Sequence, residues 1–232
     1  MTFYNGGPEN DTINAGTGPN TIFGNAGDDD LYGNTDVDVI YGGDGSDFIG
    51  GRSGNDSLYG EAGDDFLYGE ANNDLLSGGD GNDELYGGNN NDTLYGGAGD
   101  DWIVGDGTGE SGQDQMAGGA GNDTLQGGAD NDRYIFNFGT DGRDNIYDNQ
   151  GDYDSLIISG VSNISALGIT RSGSDVYVYT RADAGDDGIL NEYIRIHNYY
   201  NGSSFAEGKI ELLTVNGTSY NFHDQISLYW QT

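Results

Sequence analysis

Aspartate recurs every nine residues along the first half of this chain. The series runs Asp11, Asp29, Asp38, Asp47, Asp56, Asp65, Asp74, Asp83, Asp92 and Asp101, with Asn20 in its one gap. It slips by four residues across 106–112 and resumes at Asp114, Asp123 and Asp132. Carboxylates at a fixed period among glycines suit oxygen ligation of a hard cation. Calcium takes six to eight such oxygens, mixing carboxylates with backbone carbonyls. Carboxylates stacked about 5 Å apart repel strongly unless a cation lies between them, and glycine lets carbonyls approach that cation without steric cost. The competing reading makes these aspartates simple turn-formers, bonded to nearby backbone. Charge weighs against it, because residues 1–132 hold 27 Asp and Glu against a single base, Arg52. About ten calcium ions would offset most of that charge. Asn20 keeps an oxygen but loses the charge, so the sites it shares are expected to be weaker.

Other chemistries find little support. The chain has no cysteine, hence no disulfide framework or thiolate metal site. His197 and His223 are the only histidines. No His-Glu-x-x-His, Gly-x-Ser-x-Gly or phosphate-binding loop occurs, so no catalytic residue is assigned and the chain is read as a non-enzyme. His197 falls in an alternating run and is expected on the surface. Asp183 to Gly188 resembles an EF-hand loop, but Gly185 and Ile194 stand where ligands are needed, so a long hairpin turn is expected there. A net charge of −33 excludes a sequence-independent hold on nucleic acid. No apolar run approaches the roughly 18 residues of a membrane helix. The start, Met1 to Asn5, lacks the basic flank and apolar stretch of a secretory signal peptide.

The elements that must position the aspartates follow from the same period. Two residues after each comes an aliphatic: Ile13, Ile22, Leu31, Ile40, Ile49, Leu58, Leu67, Leu76, Leu85, Leu94, Ile103, then Met116, Leu125 and finally Tyr134. Six residues of Gly, Asp and Asn per unit make a turn. The remaining three, with one apolar side chain between two outward ones, make a very short strand. No unit can bury its aliphatic alone, but stacked units can, which predicts a solenoid with a thin continuous core. With two units per coil, Ile13, Leu31, Ile49, Leu67, Leu85 and Ile103 face Ile22, Ile40, Leu58, Leu76 and Leu94. Fourteen units give about seven coils, roughly 33 Å long at ~4.8 Å per strand. At the fourth place of the unit, Asp36, Asn72, Asn90 and Asp130 replace glycine and suit a left-handed backbone. Phe23, Tyr32, Tyr41, Tyr59, Tyr68, Tyr86 and Tyr95 point outward, either as a stabilising ladder or as a sugar-stacking face. A regular threonine array for ice binding starts at Thr12 and Thr21 and stops.

Units such as Gly42-Gly43-Asp44-Gly45-Ser46-Asp47-Phe48-Ile49-Gly50 and Gly118 to Gln126 match the nonapeptide G-G-x-G-x-D-x-U-x. Over residues 6–134 the chain resembles the RTX calcium-binding repeat family. The resemblance implies an all-β parallel β-roll, with each calcium between two same-side turns. Its ligands would be the thirteen aspartates above and carbonyls of loop glycines such as Gly42, Gly45, Gly78, Gly81, Gly96, Gly99, Gly118 and Gly121.

Composition changes near residue 132, from net −26 before it to −7 after it. Residues 133–232 read as ordinary strands with larger apolar residues, and Asn216-Gly217 as a tight hairpin turn. Two domains are expected: a repeat roll over 1–132 and a β-rich cap over 133–232. Tyr134 and Phe136 are expected to carry the aliphatic column on from Leu125. The cap resembles the segment that follows RTX repeats in haemolysin-type proteins and in repeat modules of alginate epimerases. That likeness implies an extracellular protein exported by type I secretion with an uncleaved C-terminal signal. Two functions stay open: a secreted calcium-binding roll that folds on meeting extracellular calcium, or a carbohydrate-binding accessory module of a polysaccharide-modifying enzyme.

Overall fold

Residues eighteen apart in sequence lie side by side in space, as the nine-residue period with two units per coil requires. The structure, a computed structural model, describes residues 1–148, 153–181, 192–197, 200–201, 204–205 and 210–222. Ile22 pairs with Ile40, Ile40 with Leu58 and Leu58 with Leu76, all parallel. On the opposite side Leu31 pairs with Ile49, Ile49 with Leu67 and Leu67 with Leu85. Two parallel sheets result, their strands alternating along the chain. Thr2–Asn5 begins the first sheet and Thr12–Asn14 the second. Between them the aliphatic columns are fully enclosed, from Ile22 to Met116 at 0% exposure. The fold is the parallel β-roll that the repeat implies.

The four-residue slip leaves both sheets undisturbed. Thr93 pairs with Gln115 and Trp102 with Thr124, each 22 residues apart, so the extra residues are taken up in the turn between Trp102–Val104 and Gln115–Ala120. The roll also continues beyond residue 132. Arg133–Asn137, Asp154–Ser159 and Ile210–Val215 extend the first sheet in parallel, while Arg143–Ile146 and Tyr193–Ile196 extend the second. About nine coils stack in place of seven. Tyr134 succeeds Met116 on the first sheet, and Ile146, rather than Tyr134, succeeds Leu125 on the second. Alternation of the sheets decides this: consecutive units never share a column.

Antiparallel strands close both sheets at the far end. Thr218–Asn221 folds back on Ile210–Val215 through the Asn216-Gly217 turn, whose residues have φ of 47° and 78°. Asp175–Thr180 and Leu167–Ser172 close the second sheet. His197 is buried instead of lying on the surface. Its ring stacks 3.9 Å from that of Tyr147, and Nε2 is 3.0 Å from Asn145 Oδ1. Residues 183–188 and His223 lie outside the described residues.

The outward aromatics form ladders. Phe23, Tyr41 and Tyr59 stack at 5.1 and 4.9 Å on the first sheet. Tyr32, Phe48, Tyr68 and Tyr86 follow one another on the second at 4.7–5.5 Å. Phe48 enters this row where Gly50 stands at the place of the expected aromatic; a Cβ there would lie 3.4 Å from the Tyr32 ring. Such pairs contribute roughly 0.2–1 kcal/mol each.

Candidate metal centre

Each coil turns twice, and the aspartates gather along those turns in two rows. One row runs Asp11, Asp29, Asp47, Asp65, Asp83, Asp101 and Asp123. The other runs Asn20, Asp38, Asp56, Asp74, Asp92, Asp114 and Asp132. Within each row the two carboxylate oxygens have separate tasks. Oδ1 accepts the backbone N–H of the preceding member: Asp47 N–H donates to Asp65 Oδ1 at 2.8 Å, Asp65 N–H to Asp83 Oδ1 at 2.9 Å, and Asp56 N–H to Asp74 Oδ1 at 2.7 Å. Through Oδ1 the aspartates therefore bond from coil to coil, not within their own turn. Oδ2 is different. In Asp29, Asp47, Asp56, Asp65, Asp74, Asp83, Asp92, Asp101, Asp114, Asp123 and Asp132 it is buried with no hydrogen-bond donor.

Glycine at the first place of every unit but that of Asn20, which begins with Ala15, makes the space into which Oδ2 points. A Cβ on Gly69 would lie 2.6 Å from Asp74 Oδ2 and 2.6 Å from the carbonyl oxygen of Gly87, one coil on. On Gly33 it would lie 2.7 Å from both Asp38 Oδ2 and the Gly51 carbonyl. Gly42, Gly60, Gly78 and Gly96 repeat the pattern in the other row. At Gly118 a Cβ would meet the Asp123 carboxylate itself. None of these first-place glycines has a positive φ, so the turn alone does not demand them. Room for converging oxygens does. Four of the fourth-place glycines, Gly45, Gly81, Gly99 and Gly121, have φ between 133° and 155° and rest against the carbonyl of the coil before. Their substitutes Asn72, Asn90 and Asp130 also take positive φ, whereas Asp36 does not.

Burial disfavours charge on these carboxyls, and neighbouring carboxylates add to the effect in most. Asp47, Asp83 and Asp123 are pushed up to about 6. Asp56, Asp65, Asp74, Asp101 and Asp114 rise to about 7, and Asp92 and Asp132 to about 8. In each the N–H from the adjacent coil pulls the other way and is outweighed. Lone buried carboxylate oxygens beside backbone carbonyls are what a cation satisfies and what no side chain here does. Among the described residues no three acidic or imidazole side chains converge as a metal cluster. Each place in the rows combines a carboxylate with carbonyls instead.

Two expected ligands differ from the rest. Asp11 Oδ2 accepts the Gly7 N–H at 2.5 Å, and Asp38 Oδ2 accepts both Asn34 donors at 2.8 and 2.9 Å. At Asn20 the amide reaches the Gly16 and Gly18 carbonyls at 3.0 and 2.6 Å. An amide there donates to oxygens that a cation would otherwise gather.

The repeat profile described as RTX calcium-binding nonapeptide repeat (4 copies) matches residues 5–40, 31–58, 41–76, 77–107 and 108–141. The chain belongs to this RTX family. RTX repeats bind calcium and are typically found in secreted proteins. No curated protein matches the chain. Among solved structures it is similar to the AlgE6R3 subunit of the Azotobacter vinelandii mannuronan C5-epimerase: 20% identity, 59% of this chain and 86% of that one, TM-score 0.34. It is also similar to the extracellular lipase LipA of Serratia marcescens, at 17% identity over 83% of this chain and TM-score 0.34. It spans 39% of the length of that lipase. Among the described residues no helix is long and apolar enough to cross a membrane.

The rows outrun the regular RTX spacing. Asp123 N–H donates to Asp144 Oδ1 at 3.1 Å and Asp132 N–H to Asp154 Oδ1 at 2.7 Å, so Asp144 and Asp154 are further members. Their signal was the Asp-x-aliphatic triplet, Asp144-Asn145-Ile146 and Asp154-Ser155-Leu156, freed from the nine-residue period. Burial and the adjacent Asp123 carboxylate push the Asp144 carboxyl well upward.

Proposed function

We propose that this chain is a secreted, non-catalytic calcium-binding roll whose repeats fold on meeting calcium outside the cell. One observation carries the reading: eleven row aspartates keep a buried, undonated Oδ2, and glycine carbonyls of the next coil lie beside such oxygens at Gly24, Gly42, Gly60, Gly78 and Gly96 and at Gly51, Gly69, Gly87 and Gly105. The thirteen repeat aspartates and the loop-glycine carbonyls are the proposed ligands, about ten ions in all. Bound calcium would supply the charge that these oxygens lack. The chain's own part is to hold the oxygens coil over coil and keep water from them. Residues 133–232 are proposed to cap the roll and to serve type I export.

Circular dichroism through a calcium titration tests the proposal. The β signal should appear cooperatively at roughly 0.1–1 mM calcium, the range of extracellular modules. Magnesium should substitute poorly, because it demands tight octahedral geometry. A spectrum indifferent to chelator would sink the reading. The carbohydrate-binding alternative has less in its favour, since the ladder rings largely cover one another's faces. With a charge of −33 the chain would also repel an acidic polymer unless calcium bridged the two.

A further inference from the structure

The second place of the repeat unit normally lies outside the rows. Asn25, Arg52, Glu61 and Glu70 occupy it at φ of 84°, 79°, 79° and 75°, with exposed or half-buried side chains. Asp106 follows Gly105 at the same place, in the one turn that carries four extra residues. It is not among the positive-φ residues, and it is 1% exposed. Asn34 takes the same place in a regular unit and donates inward to Asp38 Oδ2, but Asp106 is the one carboxylate that this place turns inward.

Within the turn, Asp106 N–H donates to the Gly127 carbonyl at 2.8 Å, and Asp106 Oδ2 accepts the Ala129 N–H at 3.1 Å. The Gly112 N–H faces the carboxylate and favours its charged form, yet Oδ1 stays buried without a hydrogen bond. Beside it lies a regular place of the row, where a Cβ on Gly105 would meet Asp114 Oδ2 and the Gly127 carbonyl. Asp106 is also the acidic group that acts most strongly on Asp114, and its field reaches Asp92 and Asp132. Arg52, the one base of residues 1–132, is engaged with Gly33 and Asn14.

We propose that the interruption at 106–112 builds a calcium site outside the repeat pattern, in which Asp106 adds a second carboxylate to Asp114 and the Gly127 carbonyl. The inference rests on the calcium reading above and deepens it. A regular place offers one undonated carboxylate oxygen, whereas this one offers two from separate side chains. Calcium affinity rises with the charge count of its ligands, so this site fills first.

The test is calcium calorimetry and terbium luminescence on the full chain at neutral pH. Wild type should show one site filling ahead of the others. Asp106→Asn keeps an acceptor for Ala129 and removes the charge. It should weaken that first step about tenfold (roughly 1.4 kcal/mol) and leave the later steps in place. Asp130→Asn, an exposed charge loss nearby, should leave the first step unchanged. Equal weakening by both variants would reduce the effect to general field and overturn the site. An Asp106→Asn isotherm that superimposes on wild type would do the same, leaving Asp106 a loop staple. Should Asp106→Asn not fold in saturating calcium, Asp106→Gly, which restores the residue found at Gly43 and Gly79, is titrated instead. Failure of both to fold overturns the proposal by making Asp106 purely structural. A wild-type chain that binds no calcium removes the underlying reading, and this one with it.

Discussion

Acidity should act on the roll in opposite directions with and without calcium. Asp65 and Asp74 are pushed up to about 7 by burial, against an ordinary 3.8. Their folded pKa values lie above the unfolded ones, so the calcium-free roll holds more protons than the unfolded chain. Its stability therefore falls as pH rises, beginning near pH 4 and ending near pH 8. Between pH 5 and pH 8 a carboxyl moved to about 7 loses about two units, at most about 3 kcal/mol. Solvent screening in so thin a roll lowers that figure. A quarter of it, over the ten row aspartates raised to between about 6 and 8, is still about 7 kcal/mol, comparable with the whole stability of an ordinary domain. Calcium reverses the slope, because it binds only the ionised form. The assay is far-ultraviolet circular dichroism at constant ionic strength, at pH 5 and pH 8, with and without 10 mM calcium as roughly saturating. Both values lie above the pI of about 4.1, so the chain keeps a net negative charge. Calcium-free protein should carry more β signal at pH 5 than at pH 8, and calcium should add more at pH 8. A calcium-free spectrum identical at the two values would refute the argument from buried carboxyls.

Gly69→Ala removes no charge and needs no unusual φ, yet its methyl fills the space between Asp74 Oδ2 and the Gly87 carbonyl. It should cost about one bound ion by calorimetry and raise the calcium midpoint several-fold. Asp65→Asn and Asp83→Asn each keep an acceptor for the previous coil, so they isolate the ligand role. Together they should lower calcium stoichiometry and cost more than Asp11→Asn at the roll's end, because solenoid stability is a chain of neighbours. A chain ending at Asp132 would lose Tyr134, Leu156 and Ile146 from the two core columns. It should need far more calcium to fold, or stay disordered, and an unchanged midpoint would remove the cap from the folding nucleus.

Much of the fold was legible because the period was rigid. Nine residues with one inward aliphatic allow one stacking, and Ile22, Ile40 and Leu58 fall where that stacking puts them. Legibility fails where spacing does. Arg143–Ile146 and Tyr193–Ile196 join the second sheet although nearly fifty residues separate them. Leu167–Ser172 went unseen because its alternation, Leu167 and Ile169 about Gly168, stops before Thr170, Arg171 and Ser172 and is too short to mark a strand. In the candidate site the aspartates could be read, but the division of labour between their oxygens could not. The N–H that Oδ1 accepts comes from one coil away, a distance no local rule spans. Nor did the four-residue slip disclose that it would turn Asp106 inward, since that depends on one residue's backbone angle.

The coil-to-coil bonds give the roll a direction. Every repeat aspartate from Asp11 to Asp132 offers its N–H to a carboxylate of the coil that follows and never to one of the coil before. In one row the donor series passes Asp132 and Asp154 and ends on Glu211 Oε2, 2.9 Å from the Asp154 N–H. Each turn is thus held by a residue made later on the ribosome. The Asp11 N–H waits only for Asp29, eighteen residues further on, and each later coil in turn supplies the carboxylate that closes the one before it. The newest coil is therefore always the unanchored one, and in this row Glu211 is what closes the last of them.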